Sequence, residues 1–163
     1  MFNIKKHNTD LYNTLLSLSR NLIFYDKINL KDTFETRIYL MFLHFSLIMI
    51  VFKKKGKAFP QNKYDDLFFC IENNLRELGY GDIAVNKRMK TFNKILYDIL
   101  LKINISKNSI EINEKLVKKY FSEFNNLESD KFKLFEHYFV KFYNFCFELS
   151  PENMIKDVLN FRL

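Results

Sequence analysis

The sequence predicts an all-α fold, a single-domain multi-helix bundle of about six to seven helices. Three observations lead there. The 163 residues include only 3 Gly and 2 Pro, too few for the repeated tight turns of an all-β chain. Hydrophobic residues make up 48%, enough at this length for a buried core and too many for a disordered chain. Val85, Met89, Phe92, Leu96, Ile99 and Ile103 recur at helical spacing on one face, with Lys87, Lys90 and Lys94 on the other, followed there by Asp98.

The elements follow in order. Thr9 or Asp10 can cap a short first helix with Leu11, Leu15 and Leu18 inward. A loop is expected from Asn21 to Leu30. Asp32-Thr33-Phe34-Glu35 offers a start resembling a capping box for a long helix that runs to about Lys55 and stops at Gly56. Ile38 to Phe52 is apolar almost throughout, broken by His44 and Ser46. It falls short of the roughly 20 residues of a membrane span, so a core helix enclosed by other helices is expected. The alternative, a peripheral or integral membrane subunit, would use the same segment. After Phe59-Pro60 a third helix is expected from about Tyr64 to Leu78, with Leu67, Cys70 (or Ile71), Leu75 and Leu78 inward. Gly79 suits a left-handed C-terminal cap, and Asp82 can cap the fourth helix. Ile105 to Ser109 reads as a polar break and Ile110 to Phe124 as the fifth helix, with Leu116, Val117, Tyr120 and Phe124 inward. A Phe-rich sixth helix spans Lys131 to Leu149, its polar side being Lys133, His137, Lys141, Asn144 and Glu148. Ser150-Pro151-Glu152 looks like a cap with Pro at the first helical position, opening a short last helix that ends near Phe161. There is no internal repeat and no linker.

Composition narrows the chemistry. A net charge of +7 and a pI near 9.3 favour acidic partners: nucleic acid, anionic lipid or an acidic protein face. The 19 Phe, 9 Tyr and absent Trp fit A/T-rich coding, so the aromatic content is not read as a stacking surface. Cys70 and Cys146 lie far apart among apolar neighbours, which predicts two buried thiols in a reducing compartment. Met1 to Asn8 lacks the apolar core and cleavage site of a signal peptide, so a cytoplasmic setting is expected. His7, His44 and His137 form no short metal-ligand pattern, and no metal or cofactor is expected. Arg37 and His44, seven residues apart, share a helix face. They read either as an internal polar site or as a helix-start arginine with a local carboxylate beside a satisfied core histidine. No phosphate loop, nucleophile elbow or dinucleotide fingerprint is present, and Asp65-Asp66 point about 100° apart on a helix. No enzyme is expected. Lys87, Arg88, Lys90 and Lys94 remain, readable as a phosphate-binding face or as a solvated one. Lys53 to Lys57 reads in the same two ways.

Three blocks in order carry a resemblance. They are Ser19-Arg20, Phe24-Tyr25 and Asp32-Thr33-Phe34-Glu35-Thr36-Arg37; then Leu43-His44 within the apolar helix; then Leu75-Arg76-Glu77-Leu78-Gly79-Tyr80-Gly81-Asp82 with Lys87-Arg88-Met89-Lys90. Together they resemble the bacterial branch of the ubiquinol-cytochrome c chaperone family, related to the mitochondrial factors that assist cytochrome b. Tyr80 stands where the family pattern has a smaller aliphatic residue and Asn86 where glycine is frequent. Tyr138 and the tail Leu159-Asn160-Phe161 fit loosely. The resemblance implies an all-helical, non-enzymatic assembly chaperone for the cytochrome bc1 complex, with cytochrome b or another bc1 subunit as client. It also implies ribosome contact, as in mitochondrial relatives. Peripheral contact with the anionic inner membrane is compatible with the charge. The expected contact region is Arg76, Gly79, Gly81, Asp82, Lys87, Arg88 and Lys90, with the glycines shaping the turn, Asp82 capping and the bases binding. The competing reading is a basic helical module for RNA or other phosphate-bearing partners without a bc1 role; DNA is not expected.

Overall fold

The computed structural model describes residues 10–106 and 109–163. Among these the chain forms seven α-helices: α1 (Asp10–Ser19), α2 (Phe34–Lys54), α3 (Gln61–Glu77), α4 (Asp82–Lys102), α5 (Glu114–Tyr120), α6 (Ser129–Phe147) and α7 (Met154–Asp157). The expected all-α class is what the chain adopts. The one departure is a minimal antiparallel hairpin, β1 (Asn104–Ile105) with β2 (Ile110–Glu111). Thr9, offered with Asp10 as the α1 cap, lies outside the described residues, as do His7, the leading segment, and Lys107 and Asn108 in the expected polar break.

Helix α2 is the axis. It starts within the expected segment, though one residue past Asp32, where the expected box opens, at an N-cap Thr33 whose Oγ1 accepts from the Thr36 amide at 3.1 Å. Thr36 occupies the position where a full capping box carries a carboxylate. By length and a mean hydropathy of 1.5 this helix could cross a membrane, yet 72% of its most apolar 18-residue window is buried inside the protein. Helices α1, α4 and α6 pack around it, which is why it is apolar on nearly every side. Its end is tied to the chain just past α6 by Lys55, whose Nζ donates to the Leu149 carbonyl at 2.6 Å.

Inside α2, Ser46 Oγ is buried and has no hydrogen-bond partner among the described residues. Burying an unsatisfied hydroxyl costs free energy, and alanine is the better helix former. Ser46→Ala is therefore expected to stabilise the protein by about 1 kcal/mol, read as a melting temperature about 2–4 °C higher.

The expected loop from Asn21 to Leu30 is instead wound into a π-helical turn, Ile23–Lys27, closed by the Ile28 amide on the Ile23 carbonyl at 2.9 Å. Local sequence gave no periodic signal for it. The turn exists because it drives Phe24, Ile28 and Leu30 into the core. Asn29 follows at φ 67°, a left-handed conformation that asparagine tolerates.

Helix α3 begins three residues earlier than the spacing indicated. Leu67, Cys70, Ile71 and Leu75 are buried as expected, but Leu78 is 59% exposed, because the helix ends before the stripe returns to the core. The fifth helix is corrected more heavily. Ile110 belongs to the hairpin, α5 covers only Glu114–Tyr120 from an Asn113 cap, and Ser122–Asn125 is a separate 3-10 turn. The Asn113 side chain accepts from the Lys115 and Leu116 amides at 2.9 and 3.4 Å, so the helix starts there and not at Ile110. Leu116, Val117 and Phe124 still point inward.

Helix α6 buries Phe135, Tyr138, Phe139, Phe142, Tyr143 and Cys146 and leaves the five predicted polar residues exposed. The expected cap at Ser150-Pro151-Glu152, with Pro at the first helical position, is not what the chain forms. This segment is a turn, and α7 starts from Asn153, followed by a 3-10 turn to Asn160. Cys70 and Cys146 are both buried, as expected. Burial pushes the Cys146 thiol up, so it stays protonated and unreactive.

Candidate functional site

The α3–α4 turn is built by backbone chemistry first. Helix α3 ends in a Schellman motif. The Tyr80 amide donates to the Leu75 carbonyl at 3.2 Å and the Gly79 amide to the Arg76 carbonyl at 3.0 Å, with Gly79 at φ 96°. A Cβ at Gly79 would meet nothing within 4 Å, so the requirement is conformational. Gly79→Ala is expected to cost about 1–2 kcal/mol of unfolding free energy, with denaturant titration as the check and helical content unchanged.

Gly81, and not Asp82, is the N-cap of α4. The expectation that Asp82 caps the helix is corrected: it is the first helical residue, its carboxylate makes no capping bond, and it pairs with Arg76 across the turn. Arg76 also reaches Glu72 at 3.3 Å. Arg88, counted from sequence among the binding bases, sits over the Tyr80 ring at 4.4 Å and pairs with Glu35 of α2 at 3.4 Å. The unusual Tyr80 is thus the platform on which Arg88 lies. Arg76 and Arg88 fasten the turn to itself and to α2.

Lys87, Lys90 and Lys94 behave differently. All three are exposed and hold no ion pair among the described residues. The nearby Asp98 does not neutralise them. It turns toward α5, bonded to Tyr120 and paired with Lys102 at 2.6 Å and Lys119 at 3.0 Å. The Lys102 bond, then the Tyr120 bond, hold its carboxyl well below the usual range. So the seven predicted residues divide: Arg76, Gly79, Gly81, Asp82 and Arg88 make a fixed turn, while Lys87 and Lys90 face solvent.

Sequence reasoning missed two features. The first is a cleft of about 420 Å³ where α1, the start of α2 and the end of α3 meet, floored by Leu16, Ile38 and Met41 with Arg20 and Arg37 on its wall and Leu78 beside it. Arg37 is held by Asp32 through two bonds of 2.7 and 2.9 Å. The local-carboxylate reading of Arg37 therefore holds, and Arg37 and His44 do not form a joint site. The second is the pair Ile83 and Leu101, 88% and 80% exposed on the outer face of α4. Their three-and-four spacing with the lysines was the signal available.

The fold and this surface define an all-helical protein with a rigid, internally paired turn and an unpaired basic outer face. Among the described residues no three His, Cys, Asp or Glu side chains stand close enough to hold a metal ion. A family model described as ubiquinol-cytochrome C chaperone matches residues 26–116, more than half of the chain, and the chain belongs to that family. The match runs from the π-helical turn into α5. It includes the whole α3–α4 turn and leaves out Ser19-Arg20, Phe24-Tyr25, α6 and the tail. No curated protein and no solved structure matches the chain. Family membership points to a chaperone role in bc1 assembly, and with it to a protein partner.

Proposed function

We propose that the chain is a non-enzymatic assembly chaperone of the cytochrome bc1 complex that receives newly made cytochrome b at the cytoplasmic side of the inner membrane. The observation that carries this reading is the family match over residues 26–116. The geometry is compatible with it. The α3–α4 turn is held by Arg76–Asp82 and Arg88–Glu35, so it offers a client a preformed contact. The neighbouring cleft combines an apolar floor with two arginines, which suits the boundary of a membrane helix, where apolar sequence gives way to polar.

Deletion in the source organism tests the reading. The expected result is loss of bc1 activity together with a fall in cytochrome b, restored by the wild-type chain. Normal activity with normal cytochrome b would sink it. Affinity purification from membrane and cytosol adds the client itself, and co-recovery of ribosomal proteins would report ribosome contact.

A further inference from the structure

The outer line of α4 holds Ile83, Lys87, Lys90, Lys94, Tyr97 and Leu101. At 100° per residue these six lie within about 40° of one line, opposite the buried Val85, Phe92, Leu96 and Ile99. The line is about 27 Å long, from the 1.5 Å rise of a helix. All six residues are exposed, and the two at its ends, Ile83 and Leu101, are among the most exposed large apolar residues of the chain. A face that merely kept the protein soluble would be polar at those ends. Between them stand three lysines without ion pairs among the described residues, while the two carboxylates of α4, Asp82 and Asp98, are committed to Arg76 and to Lys102, Lys119 and Tyr120.

We propose that this ridge of α4 docks on an anionic lipid bilayer, with Ile83 and Leu101 entering the interface and Lys87, Lys90 and Lys94 set among the headgroups. The pattern names the occupant. Lysines adjacent to protruding aliphatic side chains match a layer that is negative at its surface and apolar just beneath. RNA satisfies the lysines and gives two isolated aliphatics nowhere to go. A single convex helix edge suits a deformable surface, and the lysine stems can lie along the apolar layer with their ammonium groups in water. The ridge occupies neither the turn nor the cleft, so the protein could rest on the bilayer with its client contact free.

Co-sedimentation of the full chain with vesicles tests this. Vesicles of phosphatidylcholine with about one-third phosphatidylglycerol are expected to bind it, pure phosphatidylcholine far less, and binding should weaken as salt rises. Lys87→Glu/Lys90→Glu/Lys94→Glu is expected to lower partitioning by at least about 100-fold, at roughly a factor of five or more per lysine. Ile83→Ser/Leu101→Ser, both at exposed positions, should lower it about tenfold while the salt dependence remains. The chain has no Trp, so Leu101→Trp supplies a single reporter whose emission should shift to the blue on anionic vesicles. No sedimentation with anionic vesicles overturns the proposal. So does full binding by the Ile83→Ser/Leu101→Ser variant together with no emission shift from Leu101→Trp, since the aliphatics would then not insert. Binding to single-stranded RNA without binding to vesicles overturns it in favour of a nucleic-acid face. The assay contains no client, so its failure would leave the chaperone reading standing, and failure of that reading would leave vesicle binding intact.

Discussion

Phe24→Ala is expected to lower the unfolding free energy by about 3–5 kcal/mol, as for a fully enclosed Phe in a core that cannot collapse around the gap. Phe24 is fully buried among His44, Phe135, Tyr138 and Phe139, with ring centroids 6.0, 6.1, 4.7 and 5.8 Å away. These neighbours belong to α2 and α6, which are fixed to each other independently by the His44–Tyr138 bond, so they have little room to close in. The ring is presented by a π-helical turn, and that turn has no reason to persist once the ring is gone. Denaturant titration of wild type and Phe24→Ala measures the loss, and Phe24→Leu serves as a control that keeps most of the volume and should cost less. A loss below about 1 kcal/mol would mean that the turn is held by its backbone bonds and not by its aromatic anchor.

The second large effect is a dependence of stability on pH. His44 is buried, with Nδ1 2.6 Å from the Leu40 carbonyl and Nε2 2.8 Å from the Tyr138 hydroxyl. A carbonyl only accepts, so Nδ1 carries the proton, and Nε2 accepts from the Tyr138 O–H. The ring is neutral, and burial lowers its pKa from 6.5 to about 4. The folded state therefore binds a proton less readily than the unfolded chain. The stability His44 contributes is complete above about pH 6.5 and is lost as pH falls from there through about 4, a total of about 3 kcal/mol at 1.36 kcal/mol per pKa unit. Asp32 and Asp98, both held below their ordinary range by hydrogen bonds to Arg37 and Lys102, act at lower pH and do not mask the upper part of this window.

The clean comparison is wild type against His44→Leu/Tyr138→Phe, which removes both polar partners together. Relative to that variant, the wild type should lose about 3 kcal/mol between pH 7 and pH 4. A difference that stays constant across the window would show that His44 does not titrate in the folded state at these pH values.

What could be read from the sequence depended on whether an element answers to its own periodicity. Helices α2, α4 and α6 did, because a single face or an all-round apolar character repeats over about five turns in each. The start of α2 near Asp32-Thr33, the Gly79 cap and the two buried cysteines were legible for the same reason, since each rests on local chemistry. Phe24 was not, because what winds residues 23–27 is the space between α2 and α6, and that space belongs to residues far away in sequence. The hairpin at Asn104 and Glu111 was hidden inside a segment read as break and helix, and the capping power of Asn113 was overlooked. At the candidate site the residues were found but not their roles. Arg88 looked like a binding base, and only the placement of Tyr80 and Glu35 shows that its charge is already occupied. The ridge on α4 was half legible: the lysines drew attention by charge, while Ile83 and Leu101 passed as ordinary apolar residues.

The meeting of α1 and α7 bears on how the molecule is made. Thr14 donates to the Ile155 carbonyl at 3.0 Å across a sequence separation of 141 residues, and α1 also packs on the 3-10 turn that follows α7. On a ribosome adding about 5–20 residues per second, α1 leaves the tunnel about 7–28 s before the segment that covers it. For that interval the chain carries an open seam along its first helix, in a crowded setting where a neighbouring nascent chain could fill it. A member of a chaperone family thus has a vulnerable interval of its own, which closes when residues near 155 arrive.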